Sequence, residues 1–132
     1  MSSSFETCTK EKVISYEQKR FVKTSLRVLG VNTKQNGFII LQKAISYAYE
    51  NDMIIINVNQ ICKHIALITK LPLKTIESSI RYTFNNINIK KFSNNYENIF
   101  DLEFSSESFN LGNLISDFKD ILDEMESFSQ SL

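Results

Sequence analysis

Glycine and proline are scarce in this chain: three glycines and one proline in 132 residues. An all-β fold with many tight turns needs more of both, so the shortage favours helices. Long apolar runs are missing too. None reaches the roughly 18 residues that cross a bilayer as a helix. The opening MSSSFETCTKEK has no apolar centre of the kind an export signal carries. A cytoplasmic protein without a membrane partner is therefore expected. Cysteine is limited to Cys8 and Cys62, far apart and without a CxxC pair. Both are expected to be reduced thiols, Cys62 as a small core residue on an apolar helix face.

The usual signatures of catalysis are also absent. His64 is the only histidine, and no cysteine or acid stands near it at metal-ligand spacing. A helix-surface histidine is expected, and no metal site. No serine sits in a GxSxG context, and Gly30, Gly37 and Gly112 are isolated, so no phosphate loop is formed. No catalytic residue and no cofactor is expected; the chain reads as a non-enzyme. Phe38, Tyr47 and Tyr49 read as core or helix-contact aromatics.

The formal net charge of zero hides a division. Residues 1–36 carry seven Lys/Arg against three Asp/Glu, and residues 37–95 carry the same numbers, so each part has net +4. Residues 96–132 carry one against nine, net −8. A basic body suits a polyanionic partner. The acidic segment weakens such binding if it lies close to the basic face, hints at a protein partner, or forms a solvated outer face.

The length suits one domain with its own core. Residues 1–9, rich in Ser and Thr, are expected to be disordered, and residues 10–128 to form a single helical domain. A helix is expected over residues 10–29, with Val13, Tyr16, Phe21, Val22, Leu26 and Leu29 on its stripe and Gly30 as a left-handed end. A polar connector follows, and Gly37 then opens a helix with Phe38, Leu41, Ile45, Ala48 and Tyr49 on one face. Residues 53–58, MIIINV, fit a short strand or a buried connector equally. Asn59 is the expected cap of a helix over residues 60–69. Residues 91–109 read as an irregular wrap whose aromatics Tyr96, Phe100 and Phe104 dock on the body, with Ile99 and Leu102. Residues 110–128 form a final helix with Leu111, Leu114, Ile115, Phe118, Leu122 and Met125 as its stripe. Its acids Asp117, Asp120, Asp123, Glu124 and Glu126 lie elsewhere around it. The expected fold is all-α, a compact bundle of five or six helices.

The most informative stretch is residues 63–88, KHIALITKLPLKTIESSIRYTFNNIN. A first helix carries Ile65, Ala66 and Ile68. After Leu71-Pro72, a second helix carries Ile76, Ile80, Phe84 and Ile87 at i, i+4, i+8 and i+11, one apolar stripe. Pro72 fits the first turn, where its missing N–H matters little. The opposite face holds Lys74, Thr75, Glu77, Ser78, Arg81, Tyr82 and Asn85. Two helices about a proline-marked turn, the second with a hydrogen-bonding outer face, form the pattern of a helix-turn-helix. On such a helix Arg81 is suited to guanine and Glu77 to cytosine, while Ser78, Tyr82 and Asn85 are within reach of bases or phosphates. Lys70 and Lys74 flank the start, and Lys90 and Lys91 the far end, as phosphate contacts. The plain alternative for Glu77 and Arg81 is a surface ion pair, four residues apart.

Three blocks carry a family resemblance. GFIILQKAISYAYEND is similar to a lysine-glycine-aromatic start followed by a leucine and an alanine-isoleucine pair. CKHIA stands in place of a tyrosine-proline-x-isoleucine-alanine segment. TIESSIRYTFNNI is similar to a helix reading valine-glutamate-arginine-alanine-isoleucine-arginine-histidine. NLISDFKDIL falls where a last helix is due, and the spacing from Ala66 to Glu77 needs no gap. Over roughly residues 20–122 the chain thus resembles the C-terminal DNA-binding effector domain of the sporulation response regulator Spo-zero-A. The resemblance implies an all-helical domain with a helix-turn-helix bound in the major groove of a short DNA box, often as a tandem pair. Ile76 and Ile80 match core positions of that family, and Glu77 and Arg81 match polar positions of its recognition helix. Ser78 replaces a basic residue, Tyr82 a histidine, Lys63 a proline, Cys62 a tyrosine and Asn88 a tryptophan. The phosphorylatable receiver domain of full-length members is not expected in this chain.

The function expected from the sequence is sequence-specific binding of double-stranded DNA by a bacterial transcriptional regulator, as a homodimer or tandem pair. The competing reading is a protein-interaction module on the same fold that pairs with or antagonises a related regulator. A DNA-binding accessory protein of a mobile element is the third.

Overall fold

Six helices and no strand make up residues 12–131, the part of the chain that the computed structural model describes. The first, α1, spans Tyr16–Val28. Ser15 Oγ accepts from the Gln18 backbone N–H, and the Gln18 side chain accepts from the Ser15 N–H, so two orphan donors are satisfied reciprocally. This capping box starts the helix later than residue 10. It leaves Val13 and Tyr16, expected on the apolar stripe, exposed. Val22, Leu26 and Leu29 are buried as expected. Gly30, at φ +100°, ends the helix: its N–H donates to Arg27 O and that of Val31 to Leu26 O. Only glycine takes that backbone conformation without strain. Val31 then buries its side chain, so the connector is not wholly polar.

Helix α2 spans Asn36–Glu50 and is the centre of the molecule. Phe38, Ile40, Leu41, Ala44, Ile45, Ala48 and Tyr49 are all buried, because α2 packs against α1, α3, α4 and α6. The segment after it is neither a strand nor a buried connector. Ile54 and Ile55 are 93% and 84% exposed, and only Met53 and Ile56 touch the core. Helix α3, Val58–Thr69, is capped by Asn57 rather than Asn59; the Asn57 side chain accepts from Gln60 N. Ile61, Cys62 and Ile65 form its buried face, Ala66 is half-buried, and Ile68, expected on that face, is exposed.

Helix α4 spans Leu73–Asn85, with Ile76, Ile80 and Thr83 buried and Phe84 packed against the core. Ile87 lies half-buried just past its end. A further helix, α5, spans Ile89–Phe100 where an irregular wrap was expected. Its cause is local. Asn88 Oδ1 accepts from the N–H groups of Lys90 and Lys91, and Phe92, Tyr96 and Phe100 recur every four residues on the buried side. The expected wrap survives only over residues 101–110. There Phe104 and Phe109 close on Phe92 and Tyr96, while Leu102 is exposed.

Helix α6 spans Leu111–Ser131, and its Leu114, Ile115, Phe118 and Leu122 are fully buried. The acidic segment is therefore packed into the body through its apolar stripe, while Glu97, Asp101, Glu103, Glu107, Asp120 and Glu124 form a solvated outer face. Asp123 holds Lys12 at 2.8 Å and Lys119 at 2.9 Å. Asp117 accepts from the Tyr96 hydroxyl, and Glu126 from the Tyr49 hydroxyl at 3.0 Å. Asp120 and Glu124 remain exposed. Burial opposes the charge on Lys12, but hydrogen bonds to Asp123 and Asp52 outweigh it and raise its pKa. Gln18 Nε2 donates both to Tyr49 Oη and to Leu122 O, tying α1, α2 and α6 together. Cys62 is buried and free, as expected. The disorder expected for residues 1–9, and Cys8 with it, lies outside the described residues.

Helix α2 crosses closely over α4 at Gly37 and Thr83. A Cβ on Gly37 would stand 1.7 Å from Thr83 Oγ1 and 2.8 Å from Thr83 Cβ. Gly37→Ala must push the helices apart, and overpacking of this kind costs about 1–3 kcal/mol. Denaturant unfolding should show that loss. Thr83→Ala in the same chain should restore part of it, since the hydroxyl contact goes and the Cβ contact stays.

Candidate nucleic-acid interface

Three residues, Lys70, Leu71 and Pro72, join α3 to α4. Lys70 closes α3 in the left-handed region, at φ 60° and ψ 32°. A lysine there carries strain that glycine or asparagine would avoid. Pro72, at φ −61°, stands immediately before α4, and its carbonyl accepts from the N–H groups of Thr75 and Ile76. The proline ring has no hydrogen-bonding group, so no side-chain cap closes the start of α4.

Because Ile76, Ile80 and Thr83 face the core, the remaining positions of α4 form an outer ridge. Lys74, Glu77, Ser78, Arg81, Tyr82 and Asn85 are all exposed, Tyr82 at 59%. Thr75 sits half-buried at the edge. Open grooves flank the ridge on either side. One, of about 810 Å³, lies between α4 and the first turn of α2 and is bordered by Lys74, Thr75, Ser78 and Tyr82. The other, of about 520 Å³, is bordered by Glu77 and Arg81, with Val58, Asn59 and Cys62 of α3 and Leu111 of α6.

Among the described residues, Glu77 and Arg81 form no ion pair with each other or with any other group. The side chains of Lys74, Thr75, Ser78, Tyr82 and Asn85 likewise take no intramolecular hydrogen bond. The surface ion pair weighed for Glu77 and Arg81 is thus not formed. Lys70 is exposed at the turn. Lys90 and Lys91 are exposed in the first turn of α5 rather than at the far end of α4. Two cations there face the positive end of a helix dipole, which is unfavourable in isolation and favourable to a nearby anion.

The remaining reactive groups lie elsewhere. Burial, with the charge of Glu77, pushes the Cys62 thiol up, away from thiolate reactivity. His64 is half-buried, stacked on Tyr47 with ring centroids 4.2 Å apart, and is less exposed than expected. Gln60 Nε2 donates to Tyr47 Oη. No group of three or more His, Cys, Asp or Glu among the described residues could hold a metal ion, and no described helix is long and apolar enough to cross a membrane.

Lys34 is the residue that sequence reasoning missed. It borders the same groove as Lys74. Nothing in its connector marks it, because the contact arises from the crossing of α2 and α4. No protein-family model matches the chain, and neither the curated proteins nor the solved structures hold a match.

The strain at Lys70 gives a direct test of why a lysine is there. Lys70→Gly should leave the fold intact and raise its stability by up to about 1 kcal/mol in thermal or urea unfolding. A clear loss of stability would show that the lysine side chain, not its backbone, holds the turn.

Proposed function

We propose that this chain is a cytoplasmic, sequence-specific double-stranded DNA-binding protein and transcriptional regulator. In this reading α3 and α4 are a helix-turn-helix, and α4 lies in the major groove. The observation that carries it is the outer ridge of α4, where long polar side chains stand exposed with no partners of their own. Arg81 offers the paired donors that fit guanine O6 and N7, and Glu77 an acceptor for cytosine N4. Ser78, Tyr82, Thr75 and Asn85 contact base edges or phosphates beside them. Lys70, Lys74, Lys90 and Lys91 take backbone phosphates, which set register without reading sequence.

The resemblance to the Spo-zero-A effector domain, in which Glu77 and Arg81 match polar positions of the recognition helix and Ile76 and Ile80 core positions, is offered in support of this reading. One short helix reads few base pairs, so a homodimer or tandem pair on DNA belongs to the proposal.

Binding to a cognate duplex should weaken steeply as salt rises, since each neutralised phosphate releases counterions. Arg81→Ala should lose about 1–3 kcal/mol at one base position and relax preference there. A loss spread evenly over all sequences would remove Arg81 from base readout. Affinity indifferent to both salt and sequence, with a stable complex to another protein, would favour the interaction-module reading.

A further inference from the structure

We propose that the groove between the first turn of α2 and the outer face of α4 holds a phosphodiester of the duplex, with Lys34 and Lys74 as its cationic walls. This rests on the DNA-binding reading, and it adds a contact from outside the two-helix unit. The lining decides the ligand class. Lys34 and Lys74 border the groove, Ser78 and Tyr82 bring hydroxyl donors, and no carboxylate lines it. Both lysines are exposed, and neither has an ion-pair partner among the described residues. Two uncompensated cations on one concave surface concentrate positive potential there, which an anion relieves.

The backbone contributes as well. No side chain caps the start of α2. Gly37, lacking a Cβ, lets that turn close on α4, and Gln35, Asn36 and Gly37 line the groove. The groove is open and about 810 Å³ in volume, so a backbone strand can pass along it. With α4 in the major groove, the first turn of α2 would then straddle the flanking strand and fix the angle at which α4 enters.

The test is Lys34→Gln in the full chain, with binding to a selected duplex measured over a range of NaCl concentrations. Lys34 lies outside α4, so sequence preference should stay unchanged. Affinity should fall several-fold on every duplex, and the slope of log K against log salt should become shallower by about 0.9, the value for one phosphate. Lys23→Gln, an exposed lysine of α1 away from the groove, should keep the wild-type slope. Melting curves matching the wild type show that the variant is folded. If the wild type binds duplex and Lys34→Gln keeps its slope, the groove assignment is overturned and the DNA reading stands. If the wild type binds no duplex, both fall.

Discussion

The close crossing of α2 and α4 at Gly37 and Thr83 is the contact on which the other features of the surface depend. Thr83 is 1% exposed, and its hydroxyl donates back to Ser79 O within α4, so it needs nothing polar from α2. Gly37 can therefore sit directly against it. This closeness presses Ile76 and Ile80 into the core and turns Lys74, Ser78, Arg81 and Tyr82 outward. It also sets the first turn of α2 beside the ridge, which creates the larger groove and brings Lys34 into it.

The C-terminal end of α2 explains how the central helix is held. Gln18, Tyr49 and Glu126 form a chain of hydrogen bonds from α1 through α2 to α6, and Lys12 and Lys119 pair with Asp123, Lys12 also with Glu126. The negative charge of the C-terminal third is thus partly used in building the body. Buried polar networks of this kind specify one arrangement when each member is satisfied. Here they fix the rotation of α2 about its axis, and with it the direction in which α4 faces.

The parts legible in sequence were those with a strong period. The stripes of α2 and α6, and that of α4 as far as Phe84, match the buried faces because each helix packs on the core along its length, while Ile87 lies past the end of α4. Helix α5 was missed although Asn88 and the spacing of Phe92, Tyr96 and Phe100 announced it; the polar residues between them masked the period. Residues 53–57 misled in the other direction. An apolar run ordinarily implies burial, yet Ile54 and Ile55 stand in the open because no element packs over that connector. Tertiary partners explain the remaining errors. Ile68 lies on the side of α3 turned away from the core, and the roles of Asp117, Asp123 and Glu126 depend on residues up to 111 positions away. Candidate site residues fared by the same logic: those on α4 share the expected outer face, whereas Lys34 could not be found without the crossing that places it.

The central claim is that the outer ridge of α4 exists to read DNA, and selection of bound duplexes from a random library tests it most directly. The account predicts a short enriched sequence, recovered singly or as a repeat, that is lost or broadened when Glu77 and Arg81 are replaced together. Recovery of no preferred sequence by the folded wild-type chain would contradict it.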